Sequence, residues 1–174
     1  MTRLPGRSLL LVLVALLGGQ GGARAGDESY MRRFLTDWTG GGEVKLSLDG
    51  SPWRVRCHLA PAGDETSVTL SGTCRLRFLF FLSKSIVAKL RYEASSDSYS
   101  GTYVVDDGPP ALLSGKRLDD VLTLNVRWPF PVNDHLDALI RIVNDAQVFT
   151  LTTIDPIGLD GKPIVTSDLR FTPR

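Results

Sequence analysis

The two cysteines, Cys57 and Cys74, are the residues whose types and spacing most directly suggest chemistry. Both fall on the apolar side of alternating segments, at nearly equal distances on either side of a turn at residues 64–66. Directly opposed residues of an antiparallel hairpin bring their Cβ atoms to about 4.5–5.5 Å, and a disulfide needs about 3.8 Å. We therefore expect a structural disulfide between them. Two buried free thiols are the alternative.

Histidines and acidic pairs are the other candidate ligands. His58 lies on the polar side of its segment, and His135 lies beside a turn. Two histidines without a third ligand at suitable spacing do not make a zinc site. The acidic pairs at 106–107 and 119–120 are typical of hairpin turns and lack the spacing of a calcium loop. We expect no metal and no cofactor.

Catalytic signatures are missing as well. The sequence contains no G-x-S-x-G segment and no glycine-rich loop that opens a helix. A disulfide would also remove both cysteines as nucleophiles. We expect no catalytic residue, and a barrel-based enzyme assembled from scattered acid–base groups is kept as an alternative.

Alternation of apolar and polar residues runs from residue 44 to the end of the chain. Between residues 68 and 78, every even position is apolar or small and every odd position is polar, which is typical of a strand with one buried face. Nine or ten such segments recur at intervals of about 8–12 residues, which favours a β-sandwich or an up-and-down barrel. The last segment is predicted to place Val165, Ser167, Leu169 and Phe171 on one inward face.

Three glycines in the middle of strands favour the barrel. Gly72, Gly101 and Gly115 each interrupt an alternating segment. A glycine inside a strand costs stability unless the strand bends sharply or approaches a neighbour closely. Closing a sheet into a barrel requires such bends.

A short helix is predicted before the first strand. Asp27 is suited to be its N-cap, and Tyr30, Met31, Phe34 and Leu35 follow at helical spacing. The predicted fold is therefore all-β: an antiparallel up-and-down β-barrel of 8–10 strands with a short N-terminal helix.

The first 25 residues have the pattern of a secretory signal peptide. Arg3 and Arg7 precede an apolar run at 9–17, and Ala23-Arg24-Ala25 is a small-x-small cleavage site. The alternative, a membrane anchor, needs about 20 apolar residues. We expect cleavage near Ala25, a periplasmic or secreted location, and a single domain at residues 26–174.

Charge excludes one class of partner. Cleavage removes three of the 20 basic residues and none of the 19 acidic ones, so 17 face 19 and the formal charge becomes −2. A chain with this balance has no electrostatic basis for binding nucleic acid. No segment after the leader is long enough to span a membrane as a helix.

Large aromatic side chains fall mostly on the apolar positions of the strands. In a closed barrel such residues either fill the core or line a cavity for one small molecule. The second interpretation predicts an exported, non-catalytic protein that binds a small apolar or amphipathic ligand. The candidate ligand-binding residues are Trp38, Trp53, Phe78, Tyr92, Tyr99, Tyr103, Trp128 and Phe171.

The segment from Phe78 to Leu82 is apolar on both faces of its strand. It requires cover from the helix, a second copy of the chain, another envelope protein or lipid. One alternative function is therefore an envelope interaction or structural protein with a filled core, which contacts its partner through Leu79, Phe80, Phe81 and Leu82. Another is a small outer-membrane barrel, because alternation does not tell which face meets water.

The segment Trp38-Thr39-Gly40-Gly41-Gly42 resembles the W-x-G-x-G motif of the calycins, the group that includes lipocalins and fatty-acid-binding proteins. Trp38, Gly40 and Gly42 occupy the three defined positions. The wider layout resembles small exported lipocalin-like proteins of Gram-negative bacteria. This resemblance implies a lipocalin-like barrel over most of residues 26–174.

Overall fold

The computed structural model describes residues 22–45, 50–77, 82–132, 134–157 and 162–174. These residues form one short helix and ten strands, which confirms the predicted all-β class. The elements are α1 (Gly22–Arg32), β1 (Trp38–Val44), β2 (Trp53–Gly63), β3 (Ser67–Leu76), β4 (Ser83–Glu93), β5 (Ser98–Val105), β6 (Ala111–Leu118), β7 (Val121–Val132), β8 (His135–Asn144), β9 (Phe149–Ile157) and β10 (Lys162–Pro173).

The strands close into an up-and-down barrel. Each strand pairs in antiparallel with the next one in the chain, and β1 pairs with β10. Trp38, the first residue of β1, lies opposite Leu59 of β2 and Pro173 of β10. Closure leaves no unpaired edge among the ten described strands, and unpaired edges are the hazard of open sheets. The predicted barrel is confirmed, with the largest strand number that was expected.

The two faces of the wall differ as the alternation predicts. In β7, Leu122, Leu124 and Val126 are buried, whereas Asn125 and Arg127 are exposed. The buried apolar side chains of the strands and of α1 form one continuous core cluster. Successive side chains of a strand point to opposite faces, so apolar residues face the core and polar residues face the solvent.

One strand departs from the predicted alternation. β10 contains a register shift between Val165 and Ser167. An extra residue in one strand reverses the side to which the following residues point. Val165 is therefore 48% exposed, whereas Leu169 and Phe171 are buried. The prediction that Val165 shares their inward face is wrong because of this bulge.

The mid-strand glycines lie where neighbouring strands approach closely. A Cβ atom added at Gly72, Gly101 or Gly115 would lie 2.0, 2.0 or 1.9 Å from a carbonyl oxygen of the adjacent strand. Real Cβ atoms do not come this close, so a larger residue would push the strands apart. The motif glycines Gly40 and Gly42 have the same relation to β10, at 2.1 and 2.0 Å.

Helix α1 covers one end of the barrel, which we call the helix end; the opposite end is the mouth. Tyr30, Met31 and Phe34 are almost completely buried there. The helix begins at Gly22, so Asp27 lies inside it and the prediction of Asp27 as the N-cap is wrong. Its carboxylate instead bonds to strand residues, as described below. In the described residues, no helix has the length and hydropathy needed to cross a bilayer.

Most of the predicted signal peptide, residues 1–25, is not among the described residues. Residues 1–21 lie outside the described residues, and the boundary predicted after Ala25 falls within α1. The predicted domain at residues 26–174 contains all ten strands.

Cys57 and Cys74 form a disulfide, which confirms the predicted pairing. They are register partners on β2 and β3, with their Cα atoms 4.1 Å apart. The bond therefore links two adjacent strands of the wall. Disulfides are typical of proteins in oxidising compartments.

Candidate ligand cavity

A cavity of about 480 Å³ occupies the barrel interior between α1 and the mouth. At the helix end it is bounded by Phe34 and Phe149, and at the mouth it extends to Leu82 and Lys84, both of which are exposed. Small-molecule sites in proteins have volumes of about 300–1,000 Å³ and mainly apolar linings. The cavity has the size and the position of such a site.

The lining comes from the inward positions of the strands. In β4, for example, Lys84, Ile86, Ala88 and Leu90 all line the cavity. The first and the last are six positions apart, so the cavity follows the strand for about 20 Å, or about 15 Å along the axis of a tilted barrel. The space is elongated and closed at one end.

Polar groups in the lining are few. Thr153 of β9 and Ser167 of β10 lie on one wall, where the Ser167 hydroxyl donates a hydrogen bond of 2.7 Å to the Thr153 hydroxyl. Lys84 lies at the mouth and pairs with Asp106. Lys89 also borders the cavity, but it is exposed and lies on the outward side of β4. Among the described residues, no acidic side chain is part of the lining.

A buried carboxylate lies next to the polar wall. Asp155 is 4% exposed and accepts a hydrogen bond from the Thr166 hydroxyl through one oxygen. Its other oxygen has no hydrogen-bond partner among the described residues. Asp155 does not line the cavity itself, so it is a neighbour of the wall and not one of its contact groups.

Two aromatic side chains face each other across β5 and β7. The rings of Tyr103 and Trp128 line the cavity and meet edge to face, with their centroids 6.2 Å apart. The Trp128 indole N–H is buried and has no hydrogen-bond partner among the described residues. Burial raises the pKa of the Tyr103 phenol. Both groups are neutral at physiological pH, and the indole N–H is a hydrogen-bond donor that is not used within the described residues.

Four other aromatic residues form a plug at the helix end. Phe149 is its centre: its ring stacks on Phe171 at 4.5 Å and meets the edges of Trp38 at 5.3 Å and Phe34 at 5.8 Å. Aromatic pairs of this kind contribute about 0.5–1.5 kcal/mol beyond their buried area. The Trp38 indole N–H donates to the Phe34 carbonyl oxygen at 3.3 Å, which ties β1 to the end of the helical segment.

A polar triad fixes the helix to the wall. The Asp27 carboxylate accepts hydrogen bonds from the Tyr99 hydroxyl at 2.7 Å and from Arg117 Nε at 2.6 Å, and Arg117 also lies over the Tyr30 ring. Burial alone raises the pKa of Asp27, but the bonds from Arg117 and Tyr99 outweigh it and hold that pKa below its ordinary value. The triad is a structural clasp at the closed end of the cavity.

The eight predicted aromatic residues separate into groups. Tyr103, Trp128 and Phe171 line the cavity. Trp38, Tyr92 and Tyr99 are buried at the helix end and are not part of the lining. Trp53 is 39% exposed at the mouth, and Phe78 lies outside the described residues.

Sequence reasoning missed most of the aliphatic lining. Val55, Leu70, Ile86, Leu113 and Ile140 all face the cavity. Each lies on the inward side of its alternating segment, so the signal was present. Alternation marks these residues as inward but does not tell whether they fill the core or line a cavity.

The predicted interaction patch lies almost wholly outside the described residues. This applies to Leu79, Phe80 and Phe81. Leu82 is described: it is 46% exposed and contributes to the lining of the cavity at the mouth. Among the described residues, no group of three or more His, Cys, Asp or Glu side chains is placed to hold a metal ion.

Comparison with known proteins supports the fold. No protein-family model and no curated protein sequence matches this chain. The chain is similar in structure to Rv2717c from M. tuberculosis, with a TM-score of 0.66 over 84% of this chain and 96% of that chain. The two sequences are 12% identical, so the likeness shows a shared barrel fold alone.

Proposed function

We propose that this protein is an exported, non-catalytic binding protein that holds a small apolar or amphipathic molecule inside its barrel. The observation that supports this most is the elongated cavity of about 480 Å³ with an apolar lining. Burying apolar ligand surface in such a space contributes about 25 cal/mol per Å².

The charge of the lining narrows the ligand class. Lys84 is on the inward side of β4, and among the described residues no carboxylate contributes to the wall. Lys84 lies at the mouth in an exposed pair with Asp106, so this end is suited to a neutral or anionic head group, while the apolar interior takes the tail. The unused donor of Trp128 would favour a ligand with an oxygen acceptor partway along its length.

The distribution of polarity favours this function over the alternatives. An outer-membrane barrel has its apolar band outside and polar groups within, whereas here Leu124 and Ile140 face inward and Arg127 and Arg141 face outward. The alternative function, an interaction protein with a filled core, requires a solid barrel interior. The cavity argues against this alternative.

A cavity-filling substitution tests the proposal. Ala88→Phe places a ring inside the cavity, and Val87→Phe places the same ring on the outer face of the same strand. Binding of an environment-sensitive fluorescent fatty acid should fall at least about tenfold in A88F and change little in V87F. Circular dichroism of both variants checks that the barrel still forms.

Extraction of the purified protein gives an independent readout. Denaturing extraction followed by mass spectrometry should release an amphipathic small molecule from the wild-type protein and less of it from A88F. Equal probe binding by the wild type and A88F, with both folded, would overturn the proposed function.

A further inference from the structure

Exposed apolar side chains concentrate at the mouth of the barrel. Six large apolar residues with 39–66% exposure lie near strand ends on that side: Trp53, Leu82, Leu112, Phe130, Val132 and Val165. We call these six residues the mouth rim. They come from β2, β6, β7, β10 and the residue before β4, so they are distributed around the opening and do not form a patch on one side.

Four arginines lie beside this rim on the outer face of β2 and β3. Arg56 and Arg75 are register partners, and the Arg77 backbone N–H donates to the Arg54 carbonyl oxygen at 2.9 Å, so the four side chains form two facing pairs. All four are exposed. We call Arg54, Arg56, Arg75 and Arg77 the arginine cluster.

Few carboxylates within the protein neutralise the positive charge of the arginine cluster. Arg54 has Glu43 at 3.5 Å, and no described carboxylate pairs with Arg56, Arg75 or Arg77. Like charges directly opposite each other on adjacent strands are destabilising. Arg54, Arg56 and Arg77 also border a shallow groove along Gly40–Gly42. This arrangement is suited to an anionic surface outside the chain.

The helix end has no comparable group of bases without partners. Its four turns, at residues 64–66, 94–97, 119–120 and 145–148, contain Asp64, Glu65, Asp97, Asp119, Asp120 and Asp145 and no basic residue. The bases beside them, Arg32, Arg33 and Arg117, pair with Glu65, Asp120 and Asp27. The arginine cluster therefore directs the mouth side, and not the helix end, toward a negatively charged surface.

We infer that the mouth rim and the arginine cluster dock the barrel on an anionic phospholipid membrane, with the mouth against the bilayer. Trp is enriched at the level of lipid head groups, and Trp, Phe and Leu side chains insert at the boundary between head groups and acyl chains. Arginine binds phosphate through paired N–H donors. In this orientation the cavity opens onto the acyl chains. The docking is inferred only from the mouth rim and the arginine cluster. Exchange of a ligand between the cavity and the bilayer also rests on the proposed function.

Vesicle co-sedimentation tests the docking. The full-length protein should bind vesicles of phosphatidylcholine mixed with phosphatidylglycerol, bind phosphatidylcholine alone far less, and lose binding as salt is raised. R56A/R75A should weaken binding on the order of tenfold or more, since each arginine near an anionic surface contributes about fivefold. K116A/R141A removes the same charge from two exposed positions on either side of Thr123, toward the helix end, and should change binding little.

The rim has its own matched pair of variants. Phe130→Ser removes an apolar side chain from the mouth, and Leu118→Ser removes one that is 77% exposed at the helix end. F130S should weaken vesicle binding severalfold, and L118S should not. Absence of binding to the anionic vesicles, or equal losses in the mouth and control variants, would overturn the inference.

Two further outcomes separate this inference from the proposed function. If F130S and R56A/R75A abolish self-association in sedimentation velocity while no vesicle binding is seen, the mouth is a protein contact and the membrane proposal is wrong. If the wild type binds vesicles but binds no fatty-acid probe, the docking stands and the proposed function fails.

Discussion

At the helix end, Trp38, Phe34 and Phe149 are at most 2% exposed, whereas at the mouth Phe130 is 66% exposed and Trp53 is 39% exposed. The same residue types therefore do different work at the two ends of one barrel. At the helix end they pack against α1 and stabilise the fold. At the mouth they are available to ligands and surfaces, and the strands beneath them are held by the rest of the sheet.

The polar groups divide in the same way. At the helix end, acids are paired with bases: Asp27 with Arg117, Asp120 with Arg33, and Glu65 with Arg32. At the mouth side, Lys84 pairs with Asp106 and Arg127 with Asp137, but Arg56, Arg75 and Arg77 have no described carboxylate partner. The helix end therefore contributes mainly to stability and the mouth mainly to binding. Substitutions at the helix end should lower the free energy of unfolding, and substitutions at the mouth should weaken binding.

The largest expected effect distinguishes two tryptophans. Trp38→Ala should lower the free energy of unfolding by about 4 kcal/mol, because it opens a cavity among packed rings. Trp53→Ala, at the mouth, should lower it by only about 1 kcal/mol, because part of this side chain is already in water. Urea denaturation followed by circular dichroism measures both. Equal losses would contradict the division between the two ends.

The triad should give the next largest effect. Asp27→Asn should lower the free energy of unfolding by about 3 kcal/mol at neutral pH, because it leaves Arg117 without its charged partner. Asp37→Asn, an exposed acid just after the helical segment, is the control and should have little effect.

The pH dependence of this difference follows from the pKa of Asp27. Because the folded state holds that pKa below the ordinary value of 3.8, the stabilisation is present above about pH 3.8 and is lost as the pH falls through the lower folded pKa. The unfolding free energies of the wild type and D27N should therefore converge in strong acid. A gap that is constant from neutral pH to strong acid would assign the effect of D27N to packing.

Several features of the fold could be predicted from the sequence because they are local. The alternation of residues 68–78 predicted the β3 strand, and the positions of Cys57 and Cys74 around one turn predicted their pairing. Both depend on chain distances of fewer than 20 residues, for which period and turn position determine register.

Other features could not be predicted because they depend on distant or irregular contacts. Asp27 was assigned as a helix cap, although its partners Tyr99 and Arg117 lie 72 and 90 residues away. The bulge that turns Val165 outward adds one residue without a sequence signal. Whether the inward side chains fill the barrel or leave a cavity depends on the summed volumes of all ten strands, and period alone does not give this.

The smallest expected effect on stability is at the rim. Phe130→Ser should change the free energy of unfolding by less than about 0.5 kcal/mol, because the side chain is already mostly in water. The same variant is expected to weaken vesicle binding severalfold. A stability loss comparable to that of Trp38→Ala would show that Phe130 is part of the packed core, and the comparison of the two ends would fail.

The bond between Cys57 and Cys74 lies one register step from the facing guanidinium groups of Arg56 and Arg75. A covalent crosslink at this place holds together two strands that like charges push apart. The disulfide therefore allows the neighbouring arginines to stay close together, where they can attract anions outside the protein, without separation of the two strands. Once thiol-reducing conditions cut the crosslink, this hairpin is where the barrel should begin to separate, so the pattern of positive charge is itself suited to an oxidising environment.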